Sequence, residues 1–258
     1  MLEQKLRALR QEKEILLMTH IVLGYPNFAD CLRVVESMVE AGVDLMELQI
    51  PFSEPIADGP VILHANQRSL AAGSTVEKCL QFADDVSSRF DIPFLFMSYY
   101  NILFKYGVVE FARKMKEIGV TGAIVPDLPP EEASGYLAAM QEQSLAPIFI
   151  FSPNTPENRL ETIAECAEGF VYCVARKGVT GAETEFTAGF TAYLERCRAA
   201  TGLPLALGFG VKDSADVDFL RGQVDIAVIG TESIRVMEEQ GVEAVGEFIA
   251  GLRGMGRI

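Results

Sequence analysis

Short apolar runs recur along the whole chain, each followed by a turn and then by a segment with apolar residues at helical spacing. The runs at 16–22, 43–50, 93–98, 122–126, 146–151, 170–174, 204–207 and 224–229 read as β-strands. No hairpin signal joins one to the next. Ile148-Phe149-Ile150-Phe151 is apolar on both faces, as a parallel strand covered on both sides requires. Between the runs, Leu32, Val35, Met38 and Val39 form one helical stripe, and Val108, Phe111, Ala112, Met115 and Ile118 another. Ala133, Tyr136, Leu137 and Met140 follow, and Val242, Val245, Phe248, Ile249 and Leu252 close the series. Gly42, Gly119 and Gly202 supply stop signals before strands. Pro130 with Glu131 and Glu132 predicts a helix start, where proline is tolerated and carboxylates suit the helix dipole. Further helical pieces are expected at 1–12, 61–72 and 231–239.

Eight strand-then-helix units in 258 residues is the arithmetic of a single α/β (β/α)8 barrel. An open doubly wound sheet is the competitor, and the regularity of eight units favours closure. No linker or low-complexity stretch interrupts the pattern, so residues 1–258 read as one domain. The longest insert, 175–188, is rich in Gly and Thr and falls after the sixth strand.

Composition narrows the function. The chain is 49% hydrophobic and 22% charged, which is globular rather than disordered. Asp and Glu outnumber Lys and Arg by 36 to 22, a net charge of −14, so no basic face for nucleic acid or an acidic membrane is expected. An anionic substrate would have to be held by local devices such as backbone N–H groups. The N-terminal residues carry no secretory signal, and no apolar run approaches the roughly 20 residues of a membrane helix. The five cysteines, Cys31, Cys79, Cys166, Cys173 and Cys197, are odd in number and widely spaced. With only two histidines, they argue for a reducing cytoplasm and against a zinc site.

In barrels, chemistry sits at the carboxyl ends of the strands. Glu47 lies inside the apolar second strand, where an ionised carboxylate is costly, so it suits proton exchange. The alternative is a structural Glu paired with an Arg or hydrogen-bonded in the core. The next loop contains Asp58 among three prolines, which should hold that second acid in place. Glycines end the sixth, seventh and eighth units: Gly178 and Gly181 around Thr180, Gly208 and Gly210 around Phe209, and Gly230 before Thr231. Such glycines beside a helix start suit a phosphate cup, although turns also use them.

The segment Glu47 to Pro60, ELQIPFSEPIADGP, resembles the tryptophan synthase alpha chain family. So do Leu23-Gly24-Tyr25-Pro26, Tyr100-Asn101, Val125-Pro126-Asp127-Leu128-Pro129, Arg176 to Gly181 and Gly208-Phe209-Gly210. The resemblance covers nearly the whole chain. It implies a barrel that splits indole-3-glycerol phosphate into indole and glyceraldehyde 3-phosphate in tryptophan biosynthesis. It also implies an alpha-beta-beta-alpha complex with a beta chain that carries pyridoxal phosphate, with no cofactor or metal in the present chain. Glu47 would be the general acid/base, Asp58 would face the indole N–H, and Tyr172 would support the site. Thr180, Gly181, Phe209, Gly210, Gly230 and Thr231 would bind substrate, and His20 would face the indole pocket.

Three residues depart from the family pattern. His20 stands where an aromatic or apolar residue is usual, Gln49 where glycine is usual, and Glu54 where aspartate is usual. They are either conservative drift or a remodelled pocket. An imidazole beside Glu47 would favour the ionised acid, and the expectation is a slower lyase than one with an aromatic there. A catalytically weak alpha-like chain, serving mainly as allosteric partner of a beta chain, is the second reading. An unrelated sugar-phosphate isomerase or epimerase is the third, but the metal or lysine base it needs is missing from the strand ends.

Overall fold

The computed structural model describes residues 2–174, 188–208 and 210–253. Eight parallel strands close into a barrel in sequence order. They are β1 (Leu16–Val22), β2 (Leu45–Gln49), β3 (Phe94–Met97), β4 (Gly122–Ile124), β5 (Ala146–Phe151), β6 (Val171–Val174), β7 (Leu205–Gly208) and β8 (Ile226–Ile229). The helices on the way are α1 (Leu2–Glu12), α2 (Phe28–Glu40), α3 (Pro60–Ala71), α4 (Val76–Arg89), α5 (Tyr100–Tyr106) and α6 (Val108–Glu117). They continue as α7 (Ser134–Glu142), α8 (Glu157–Cys166), α9 (Ala188–Ala200), α10 (Ser214–Leu220), α11 (Thr231–Gln240) and α12 (Val242–Leu252).

All eight strands lie where the apolar runs predicted them, because parallel strands buried on both faces leave so plain a trace. The three extra helical pieces are α1, α3 and α11. Two local features differ from expectation. Pro130 opens a separate 3-10 turn, Pro130–Glu132, and α7 begins only at Ser134. The short helix α5 follows β3 directly and carries no long apolar stripe to announce it.

Alternation along each strand divides the core in two. Leu16, Met18, Leu45, Leu95, Ile124, Ile148, Phe170, Ala206 and Val228 point into the barrel. Leu17, Met46, Leu48, Phe96, Phe149, Cys173 and Leu207 point out and pack under the helices. At the amino-terminal end α1 lies across the opening, with Leu2 and Leu6 buried in the inner cluster. Arg10 and Lys13 tie it down to Asp225 and Asp44. Asp44 in turn accepts from Leu17 N at 2.8 Å and from Arg253 at 2.6 Å.

Candidate active site

The inward parity that gives Leu16 and Met18 to the core continues to His20, and that of Leu45 continues to Glu47 and Gln49. Parallel register sets His20 opposite Glu47 and Val22 opposite Gln49. His20 and Glu47 are each 4% exposed, and Nδ1 of His20 lies 3.0 Å from Oε1 of Glu47. Glu47 is therefore bonded to a histidine, not to an arginine. Its second oxygen, Oε2, is buried and accepts no hydrogen bond.

Residues 52–60 fold back over this end of the barrel. The Gln49 amide donates to Asp58 Oδ2 at 2.6 Å, and the Tyr99 hydroxyl donates to the same oxygen at 3.1 Å. Ala57 N donates to the Tyr99 hydroxyl at 3.1 Å, and Phe52 stacks on the Tyr99 ring at 5.0 Å. Phe52 N donates to Asn66 on α3 at 2.9 Å, and Pro60 sits in the first turn of that helix. Asp58 is thus held by side chains from β2 and from beyond β3, in addition to the prolines that the sequence offered.

Tyr172 on β6 points into the same space, beside the inner cluster. Gly208 on β7 leaves room for it: a Cβ there would lie 2.6 Å from the Tyr172 hydroxyl oxygen. The role of Gly208 is therefore clearance for a ring, not only the flexible turn that the glycine pattern suggested. Burial, reinforced by Glu47 and Asp58, keeps the Tyr172 phenol protonated well above its ordinary range.

The charges in this pocket act on one another. Burial is the largest single effect and pulls the His20 imidazole down, but Glu47, Asp58 and the nearby Gln49 amide together outweigh it, and the net shift is upward from 6.5. Asp58 is also raised: burial outweighs the opposing effects of His20, Gln49 and Tyr99. His20 Nε2 has no hydrogen-bond partner of proper geometry, although the Gln49 amide oxygen lies close enough to favour the imidazolium.

Beside this pocket lie the described parts of the glycine cup. Gly210 has φ +78, a conformation that side chains resist, and a Cβ there would meet open space. Gly230 precedes α11, which begins at Thr231, and a Cβ on Gly230 would lie 3.5 Å from the His20 Cβ. The backbone N–H groups at the start of α11 receive no side-chain cap. Thr180, Gly181 and Phe209 lie outside the described residues. Tyr99 was missed in the sequence, although it continues the inward parity of Leu95 and Met97 and that signal was available.

A closed parallel barrel with its buried acids gathered at the carboxyl ends of the strands is the plan of a (β/α)8-barrel enzyme. Within that class the chain belongs to the tryptophan synthase alpha chain family, whose description matches residues 6–250. It is 65% identical to the tryptophan synthase alpha chain of Desulforapulum autotrophicum over 98% of this chain and 100% of that one. It is 62% identical to that of Syntrophotalea carbinolica with the same coverage. Among solved structures, Mycobacterium tuberculosis tryptophan synthase superposes with a TM-score of 0.92 at 29% identity, covering 98% of this chain and 96% of that one. Family membership gives the chain an alpha-subunit role in tryptophan biosynthesis, as a lyase.

Proposed function

We propose that this chain cleaves indole-3-glycerol phosphate to indole and glyceraldehyde 3-phosphate by a retro-aldol step. The observation that carries the reading is the buried Glu47, whose Oε2 is left without a partner beside a rigidly held Asp58. The reaction puts a proton on indole C3 and takes one from the glycerol hydroxyl next to the breaking bond. Glu47 serves both transfers in turn. Protonated C3 leaves positive charge at the ring nitrogen, which the Asp58 carboxylate stabilises in a pocket of low dielectric. Tyr172, kept as a neutral phenol, supports the ring side of the pocket. His20 borders the indole, Gly181, Gly210, Gly230 and Thr231 hold the phosphate, and Thr180 and Phe209 contact the substrate. The test is indole release from indole-3-glycerol phosphate, with and without a beta chain.

Two substitutions probe the two ends of the pocket. Gly210→Asp puts a carboxylate toward the phosphate; unit charges about 4 Å apart repel by about 4 kcal/mol at an effective dielectric near 20. The expected result is a rise in KM of tenfold or more, and an unchanged KM removes Gly210 from the phosphate site. Gly208→Ala drives a methyl into the Tyr172 ring. Overpacking of this kind costs about 1–3 kcal/mol, and misplacing a supporting group by about 1 Å can cost about 100-fold in rate. A lower melting temperature with a reduced kcat is expected; wild-type values for both would show that the ring yields freely.

We further propose that residues 1–258 act as one cytoplasmic domain, in an alpha-beta-beta-alpha complex whose beta chain carries the pyridoxal phosphate. In support, Ile56 is 72% and Phe104 69% exposed, on the two segments joined by the bond from Ala57 N to the Tyr99 hydroxyl. No described helix is long and apolar enough to cross a membrane. The second reading, a catalytically weak chain that mainly modulates its partner, draws on one observation. Both acids already have side-chain partners, His20 for Glu47 and Gln49 for Asp58.

A further inference from the structure

Resting on the lyase reading above, we propose that His20 and Glu47 form a proton-sharing dyad, with His20 a positioning residue that acts through Glu47. Three observations support the assignment. The residues face each other in register across β1 and β2. Nδ1 lies 3.0 Å from Oε1 in a buried setting, which makes the bond charge-assisted whenever the imidazole is protonated. Oε2, the only Glu47 oxygen that His20 does not engage, is left for a substrate.

The groups facing His20 are consistent with this. Glu47 comes from β2 and Asp58 from the loop after it, and both favour the imidazolium. The Tyr172 phenol, from β6, faces the same two carboxylates and stays neutral. Tyr99, beyond β3, is bonded to Asp58. On the β8 side the ring meets Gly230, which brings no titratable side chain. The ring is accordingly held above its ordinary 6.5 although it is buried.

The proton balance closes over a cycle. The resting dyad holds one proton beyond neutral imidazole and carboxylate. In the reacting form that proton sits on Glu47 Oε2 while neutral His20 donates its Nδ1–H to Oε1, and Oε2 delivers it to indole C3. Neutral imidazole and carboxylate remain. Glu47 then takes the glycerol hydroxyl proton, the bond between C3 and the glycerol carbon breaks, and its electron pair neutralises the ring as the aldehyde forms. The dyad is again one proton above neutral. A lone carboxylic acid loses its proton at lower pH than such a dyad does. In acid, where a lone carboxyl stays protonated, a chain with an aromatic at position 20 is the faster lyase, as expected from the sequence. Toward alkaline pH the order reverses.

The sequence contains only two histidines, so the imidazole signals of His20 and His64 can be followed separately by NMR in the intact chain. The expected result is a His20 imidazolium that persists above pH 6.5 in the wild type and titrates lower in Glu47→Gln. In parallel, pH profiles of indole release are compared for the wild type, His20→Phe and His20→Asn. Asparagine keeps a neutral donor near Oε1 but cannot carry the proton. Both variants should lose activity on the alkaline side at lower pH, by about one unit, and the wild-type and His20→Phe profiles should cross. A wild-type His20 that titrates at or below 6.5, or a His20→Asn profile that superimposes on the wild type, overturns the dyad. If the wild type releases no indole, the lyase reading fails by itself, while the NMR titration still decides whether the proton is shared.

Discussion

Glu47→Gln should reduce indole release by about 10³-fold or more while leaving the barrel folded. The change keeps the volume and an oxygen for His20 to meet, and it removes the group that carries the proton. General acid or base catalysis contributes about 10²–10⁴-fold for a single transfer, and in the proposed reaction one carboxyl serves two. Removing one partner of a buried pair costs about 3–5 kcal/mol when the other stays charged, and His20 can limit that loss by releasing its proton, so a lowered melting temperature with a folded barrel is expected. Steady-state kinetics beside a thermal melt separate the two effects. A variant that retains more than a tenth of the wild-type rate would take the proton carrier elsewhere.

Asp58→Asn should cost about 10²–10³-fold in kcat/KM, the range for removing one preorganised group that stabilises charge in the transition state. Asparagine can still meet the Gln49 amide and the Tyr99 hydroxyl, so residues 52–60 should keep their path. What is lost, on the proposed reading, is the negative charge beside the ring nitrogen. The pH dependence gives a second check. Burial holds the Asp58 carboxyl above its ordinary value, so the ionised form disappears sooner as pH falls than it would for an exposed aspartate. The wild-type rate should therefore fall on the acid side, and Asp58→Asn should flatten whatever part of that limb Asp58 supplies. A rate within threefold of wild type would mean that the charge at the ring is stabilised by something else.

The fold was legible because its strands are short apolar runs with nothing between them that could form a hairpin. The inner and outer faces follow from counting by twos along each strand, and the pocket positions of His20, Glu47 and Gln49 follow from the same count. What the count could not give is contact across a turn. The bond from Gln49 to Asp58 depends on how residues 52–60 fold back, and the bond from Tyr99 to Asp58 depends on two strand ends meeting. Gly208 shows the same limit. Its reason for being glycine is a tyrosine on the neighbouring strand, and no local rule reveals it. Pro130 misled for a local reason: the proline that suits a helix start suits a 3-10 turn equally well.

The helix across the amino-terminal opening makes the barrel a vessel with a sealed base. Leu2 and Leu6 stopper it from below, so among the described residues the approach to Glu47 lies at the opposite rim, beside residues 52–60 and the start of α11. Anything seated on that rim would therefore meet the vessel at its mouth and not at its base.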